Sequence, residues 1–226
     1  MNKSKSIKAI LGIALISILI MYLIEVIIST GYIQKSVIKV GLFLIFPMIY
    51  TLLDKNIKTR DSFKIKSRKS LGFSLLLGIG IYMVILGAYF VLKRFIDLSN
   101  IMIMLDQKAN VDKSNFIGVA LYISFVNSLL EEFFFRGFLF LNLIRISSRK
   151  LAYLISAFVF SLYHVAIMGS WFNPVIFIVA MIGLFVGALI FNYLNEKDEN
   201  IYNSWMVHMM ANLSINTVGL IMFGVI

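Results

Sequence analysis

The hydrophobic residues of this chain gather into seven long runs, separated by short polar connections rich in lysine and arginine. A helix needs about 20 apolar residues to cross a bilayer. The runs therefore predict seven transmembrane helices, at Ile7–Ile28, Val37–Leu53, Leu71–Leu92, Phe116–Ile144, Leu151–Met168, Pro174–Leu194 and Ile201–Met222. We expect an all-α, polytopic membrane helical bundle. It would have eight helices if the chain contains one re-entrant segment that the hydrophobic pattern does not reveal.

The organisation along the chain favours one unit. No repeat of fixed period and no linker-like stretch interrupts the sequence, so residues 1–226 are predicted to form a single integral membrane domain. Residues 1–115 contain the first three spans, and residues 116–222 contain the last four. Only the second part has several ionisable residues well inside its apolar runs.

Composition supports the membrane assignment. Hydrophobic residues make up 60% of the chain, charged residues only 14%, and the mean hydropathy is +0.92, whereas a soluble domain of this size carries far more charge. The absence of cysteine excludes disulfides, thiolate metal sites and cysteine nucleophiles. These features confine any chemistry to carboxylates, histidines, amides and hydroxyls.

The net charge of +10 does not indicate a nucleic-acid partner, because the basic residues lie in the gaps between apolar runs. There they set topology and contact the headgroups of the lipid bilayer. With seven spans, fourteen lysines and arginines fall on the N-terminal side of the membrane and six on the opposite side. This bias predicts a cytoplasmic N-terminus and an outside C-terminus.

Ionised side chains inside a membrane helix are costly, at about 2.5–3.5 kcal/mol each near the bilayer centre. Glu25 and Lys39 lie close enough to the ends of their spans for us to expect them at the interface, Lys39 by snorkelling. Deeper positions hold five ionisable residues, all in late spans: Glu131, Glu132, Arg136, His164 and His208. The presence of five such costly side chains in the late spans indicates a functional site.

Spacing predicts which of these groups share a helix face. Glu132 and Arg136 are four residues apart, so they can form an ion pair within one turn. Glu131 is rotated by about 100° from Glu132 and has no obvious local partner. A carboxylate in a poorly solvated cavity is suited to act as a general base near neutral pH.

The last span adds hydrogen-bond donors. His208 and Asn212 are also four residues apart, which places an imidazole beside a carboxamide. Such a pair is suited to stabilising a developing oxyanion. His164 is expected to help to position or deprotonate a water opposite Glu131.

Each feature also has a structural interpretation. The pair of Glu132 and Arg136 is equally compatible with a purely structural ion pair, and a single intramembrane histidine is commonly an interhelical hydrogen bonder. The phenylalanines of the fourth span are most simply packing and lipid-facing surface: Phe133, Phe134, Phe135, Phe138 and Phe140. The occurrence of all these polar groups in the same late spans favours a functional site over a purely structural one.

Three ordered motifs carry a family resemblance. Glu131-Glu132-x-x-x-Arg136, then Phe160-x-x-x-His164, then His208-x-x-x-Asn212 resemble the three motifs of the CAAX protease and bacteriocin-processing family, also called CPBP or Abi. The resemblance covers roughly residues 116–222, which would form the catalytic core; the first three spans match only as hydrophobic segments.

The resemblance implies an intramembrane endopeptidase, a glutamate-type hydrolase. In it, Glu131 and His164 would activate a water, His208 and Asn212 would stabilise the oxyanion, and Glu132 and Arg136 would shape the site. The substrate would be a membrane-associated peptide or protein, either lipidated or a pheromone or bacteriocin precursor. Family members are associated with bacteriocin processing and self-immunity, and the small, Lys/Ile/Asn-rich chain favours a bacterial cell membrane.

Cofactor use stays open at this point, and we favour none. Zinc or another divalent metal is the alternative, with Glu131, His164 and His208 as the three ligands that a catalytic zinc needs and Glu132 as the base. The compact His-Glu-x-x-His helix motif is missing, and Asn212 suits an oxyanion role better than a ligand role.

Two other functions compete with proteolysis. A proton-coupled transporter would also use Glu and His near the membrane midplane, but it predicts inverted repeats and broken helices that the sequence does not show. A catalytically silent immunity or scaffold protein on the same fold would tolerate Glu131→Gln.

Overall fold

The computed structural model describes residues 2–28, 30–95, 98–169 and 171–226. Within those residues the chain is all-α, as predicted. Its helices are α1 (Lys3–Ile28), α2 (Tyr32–Leu53), α3 (Arg68–Leu92), α4 (Ser99–Ala109), α5 (Phe116–Ile146), α6 (Arg149–Met168), α7 (Pro174–Asp198) and α8 (Tyr202–Met222). A short 3₁₀ turn, Thr59–Phe63, lies between α2 and α3.

Six of the described helices, α1, α2, α3, α5, α6 and α7, are long and apolar enough to cross a membrane. The last predicted span, Ile201–Met222, also forms a helix of 21 residues, α8. It is more polar than the other six because it carries several amide, hydroxyl and imidazole side chains. An integral membrane bundle is thus supported, while the predicted count of seven spans is not confirmed.

Helix α5 lies at the centre of the bundle, with α1, α2, α6, α7 and α8 packed around it. Its five phenylalanines, Phe133, Phe134, Phe135, Phe138 and Phe140, are each at most 2% exposed. The expectation that some of them face lipid is wrong, because neighbouring helices cover the half of α5 that contains them, whereas Ile117 and Leu121 nearer its start are exposed. The rings instead form the main apolar core.

Widened π turns occur in three of the described helices, at the end of α1 (Ile24–Ile28) and inside α2 and α5. In α5 these cover Tyr122–Asn127 and Phe133–Phe140, and they flank the α-helical segment Ser128–Glu132. In α2 a π turn covers Gly41–Ile45. Because a π turn holds more residues than an α turn, it changes the direction of the side chains on either side, and such turns are frequent at functional sites.

The connections predicted to face the cytoplasm meet at one end of the bundle. There Lys66 Nζ and Arg145 NH2 lie 2.7 and 3.2 Å from the carboxylate of Glu199. The hydrogen bond from Lys66 is the main cause that lowers the pKa of Glu199. The direction in which this end faces stays a prediction.

Close packing of α3 on α8 predicts a steric effect at Gly78. A Cβ atom there would lie 2.9 Å from Met210 Cγ and 3.1 Å from the carbonyl oxygen of Met206, whereas Gly80 has nothing within 4 Å. We expect Gly78→Val to lower the free energy of unfolding by about 1–3 kcal/mol because of overpacking. Thermal unfolding in detergent measures this, with Gly80→Val as the matched control. Equal midpoints for the two variants would contradict the packing.

Candidate active site

Glu132 is fully buried, and both of its carboxylate oxygens are bound. Arg136 NH1 donates to Oε1 at 3.0 Å, which is the ion pair expected from the spacing of four residues. His208 Nδ1 lies 2.8 Å from the same oxygen, and the hydroxyl of Ser204 donates to Oε2. The Glu132 carboxylate therefore links helices α5 and α8.

Arg136 is held mainly by charge and by aromatic faces. Its guanidinium carbon lies 4.2 Å from the ring centroid of Phe160 and 4.9 Å from that of Phe191. Among the described residues its Nε and second terminal nitrogen have no hydrogen-bond partner. Cation–π attraction offsets part of the cost of burying such a charge. Phe160 and Phe191 therefore belong to the site as much as the Glu132 carboxylate does.

Glu131 is also buried, but its two oxygens have different surroundings. Oε1 accepts hydrogen bonds from Lys39 Nζ at 2.5 Å and from Asn127 Nδ2 at 3.0 Å. The expectation that Lys39 snorkels to the interface is wrong: its side chain is only 6% exposed and points towards α5. The expectation that Glu131 has no local partner is wrong too, because Asn127 lies one helical turn earlier.

The second oxygen of Glu131 faces the two histidines. Oε2 lies 3.7 Å from His208 Nε2 and 4.0 Å from His164 Nε2. These distances exceed a direct hydrogen bond. The three side chains come from α5, α6 and α8, so the structure brings together the residues that the first two motifs and the start of the third single out.

Hydrogen bonding fixes the ring orientation and the proton position of both histidines. His164 Nδ1 lies 2.8 Å from the carbonyl oxygen of Phe160, which can only accept, so Nδ1 carries the proton. His208 Nδ1 likewise donates to the Glu132 carboxylate. In each neutral ring Nε2 therefore presents a lone pair. Three acceptor atoms, Oε2 of Glu131 and the two Nε2 atoms, converge on one small region.

Formal charge in the site balances without protonated histidine. The negative charge of Glu131 is compensated by Lys39, and that of Glu132 by Arg136. Charges in a poorly solvated interior are tolerated when they are paired and hydrogen-bonded. Neither imidazole is therefore needed as a counterion for the two carboxylates.

Asn212 occupies the expected position, one turn after His208 on α8. Its Nδ2 donates to the main-chain carbonyl of Ile123 at 3.4 Å, within a π turn of α5. This contact ties the amide to α5 and not to the other predicted site residues. An amide nitrogen has two N–H bonds, so one remains for a further acceptor.

Sequence reasoning missed three residues of the site, Lys39, Asn127 and Ser204. Asn127 precedes Glu131 by four residues, and Ser204 precedes His208 by four, so helical spacing was an available signal for both. Lys39 belongs to a distant span, and no local pattern connects it with Glu131. Only the packing of α2 against α5 reveals it.

The fit to a metal ion depends on the same groups. Glu131, His164 and His208 offer a carboxylate and two imidazoles, but their facing atoms are 3.7 and 4.0 Å apart, against about 3.3 Å between neighbouring ligands of tetrahedral zinc. Within the described residues no group of three His, Asp or Glu side chains is arranged to hold a metal. The Lys39 ammonium, 2.5 Å from the same carboxylate, also opposes a cation. These residues do not fit zinc.

Comparison with known families gives a match. The model of the Rce1-like family, type II CAAX prenyl endopeptidases, matches residues 113–214. That segment contains all seven named residues of the three motifs. The match confirms the resemblance to the CAAX protease and bacteriocin-processing family, and it supports a CAAX-type intramembrane protease, a hydrolase. Comparison with curated proteins and with solved structures gives no match.

The buried ion pair of Glu132 and Arg136 predicts a large stability effect. Arg136→Leu leaves a buried carboxylate without its cation, which costs about 3–5 kcal/mol in the free energy of unfolding. The matched control is Arg149→Leu, which removes an exposed pair with Glu196 (2.6 Å) and should cost less than about 1 kcal/mol. Denaturant unfolding of both variants in detergent tests this. Equal losses would show that the buried pair has no special weight.

Proposed function

We propose that the chain is an intramembrane endopeptidase that hydrolyses a peptide bond with a water activated by Glu131. The observation that carries the proposal is the convergence of Oε2 of Glu131 with the Nε2 atoms of His164 and His208 at 3.7–4.0 Å. Oε2 of Glu131 and Nε2 of His164 are two acceptors for the two O–H bonds of one water, which Glu131 deprotonates as the water attacks.

The first step makes the tetrahedral intermediate. The water gives a proton to Oε2 of Glu131 while its oxygen bonds to the scissile carbonyl carbon, and the carbonyl electron pair moves to the oxygen. The lone pair on His164 Nε2 orients the water through its second O–H bond. Glu131 is suited to the base role because Oε2, unlike both oxygens of Glu132, has no direct hydrogen bond among the described residues.

Stabilising the oxyanion falls to helix α8. Neutral His208 cannot donate from Nε2, because its proton is on Nδ1 beside Glu132. In the proposed step His208 therefore acts in its doubly protonated form, in which Nδ1 stays bound to Glu132 and Nε2 donates to the oxyanion. The remaining N–H of Asn212 is the second donor. In the last step Glu131 returns its proton to the amine nitrogen as the C–N bond breaks.

The substrate we propose is a membrane-associated peptide or protein, lipidated or a pheromone or bacteriocin precursor. The family description, prenyl endopeptidase, supports a lipidated substrate. A site built from helices α5, α6 and α8 within a membrane bundle supports a substrate that reaches it from the bilayer. A bacterial cell membrane and a part in self-immunity belong to the same proposal.

Removing the base or its histidine partner should abolish hydrolysis. We expect Glu131→Gln and His164→Ala each to lower product formation at least about 10³-fold, because neither variant can take the proton and orient the water. Peptide mass spectrometry of membranes measures the products. Glu196→Gln, a carboxylate outside the site, is the control. Products that persist at the wild-type level in accumulated Glu131→Gln protein would show that hydrolysis does not need Glu131 and would contradict the proposed role.

Metal removal should leave the activity intact. We expect purified protein treated with chelators, then passed into metal-free buffer, to hydrolyse its substrate at a rate within about twofold of untreated protein, since the proposed steps use only side chains of the chain. Loss of activity that added zinc restores would show that Glu131, His164 and His208 bind a metal after all.

A further inference from the structure

Among the residues that the structure describes, Lys39 is the one lysine or arginine in direct contact with the proposed base. Its Nζ lies 2.5 Å from Oε1 of Glu131, and its side chain is 6% exposed. The same ammonium lies 4.8 Å from the ring centroid of Tyr163 and 5.3 Å from that of Phe43, so α2, α5 and α6 all hold it in place. A lysine buried this well has given up its hydration for these contacts.

Asn127 completes a closed arrangement around Oε1. Lys39 Nζ donates to Asn127 Oδ1 at 2.6 Å, and Asn127 Nδ2 donates to Glu131 Oε1 at 3.0 Å. Because the amide oxygen faces the ammonium and the amide nitrogen faces the carboxylate, both partners fix the orientation of the amide. Oε1 is thereby occupied from two sides.

We infer that Lys39 and Asn127 are positioning residues that hold Oε1 of Glu131 so that Oε2 alone faces His164 and His208. Resting on the proposed function, this inference adds residues outside the three motifs. Lys39 also lies outside the matched segment 113–214. Without the hydrogen bonds from Lys39 and Asn127, the Glu131 carboxylate can rotate about its last bond and turn either oxygen away from the histidines.

The ammonium also has an electrostatic part in the reaction. In the resting site it compensates the ionised carboxylate. When Glu131 takes the proton of the attacking water it becomes neutral, and the charge of Lys39 is then uncompensated at the moment when the oxyanion forms nearby. A fixed positive charge close to the negative charge that develops in the transition state lowers the activation barrier, and the site does not have to rearrange for it.

Kinetics separate positioning from plain structural support. We expect Lys39→Met to lower kcat about 10²–10³-fold with KM changed less than about threefold, and Lys39→Arg to recover at least a tenth of wild-type kcat. Asn127→Leu should give a smaller loss in the same parameter. The matched control is Lys35→Met, which removes a buried lysine one turn earlier that pairs with Glu25 at 2.9 Å. A wild-type kcat in Lys39→Met would overturn the inference.

Carbodiimide labelling gives a readout that needs no substrate. A hydrophobic carbodiimide adds to protonated carboxyl groups in membranes, so it reports whether Glu131 is ionised. We expect labelling of the Glu131 peptide to rise at least about tenfold in Lys39→Met relative to wild type and Lys35→Met, because a buried carboxylate without its cation takes up a proton. Glu131→Gln gives the blank.

The hydrolysis and labelling experiments distinguish failure of the inference from failure of the proposed function. Equal labelling of Glu131 in wild type and Lys39→Met would overturn the inference even if hydrolysis depends on Glu131. Wild-type protein that releases no peptide from any membrane substrate would overturn the proposed function, and the labelling comparison would still decide whether Lys39 keeps Glu131 ionised.

Discussion

Two neighbouring glutamates are buried inside a membrane helix, and each has a cation of its own. Glu131 pairs with Lys39 from helix α2, and Glu132 pairs with Arg136 from its own helix. Two adjacent carboxylates would otherwise repel each other in a medium that screens charge poorly. Separate cations offset the two negative charges, and the pair of Lys39 with Glu131 requires α2 and α5 to pack together at this point.

The difference between the two glutamates explains their proposed roles. Glu132 uses both oxygens to bind Arg136, His208 and Ser204, so each of its oxygens has a protein partner. Glu131 uses one oxygen for Lys39 and Asn127, and the other faces the histidines. Polar residues inside a membrane are costly. Glu132, with both oxygens bound, serves as a structural anchor. Glu131, with one oxygen available, serves as the reactive group.

Local spacing predicted much of this site, since residues four apart on a helix share a face. That rule found Glu132 with Arg136, and the motif order singled out His164 and His208. It missed Lys39, because the pairing of distant spans depends on tertiary packing that hydropathy does not encode. For the same reason the burial of the α5 phenylalanines was not predicted.

The origin of the oxygen in the product tests the proposed chemistry most directly. Once the membrane substrate is identified, a single turnover in ¹⁸O-labelled water distinguishes a base from a nucleophile. If Glu131 activates water, the new carboxylate carries one ¹⁸O and the Glu131 peptide carries none. An unlabelled product together with ¹⁸O in Glu131 would mean that the carboxylate itself attacks the peptide bond, and it would contradict the proposed mechanism.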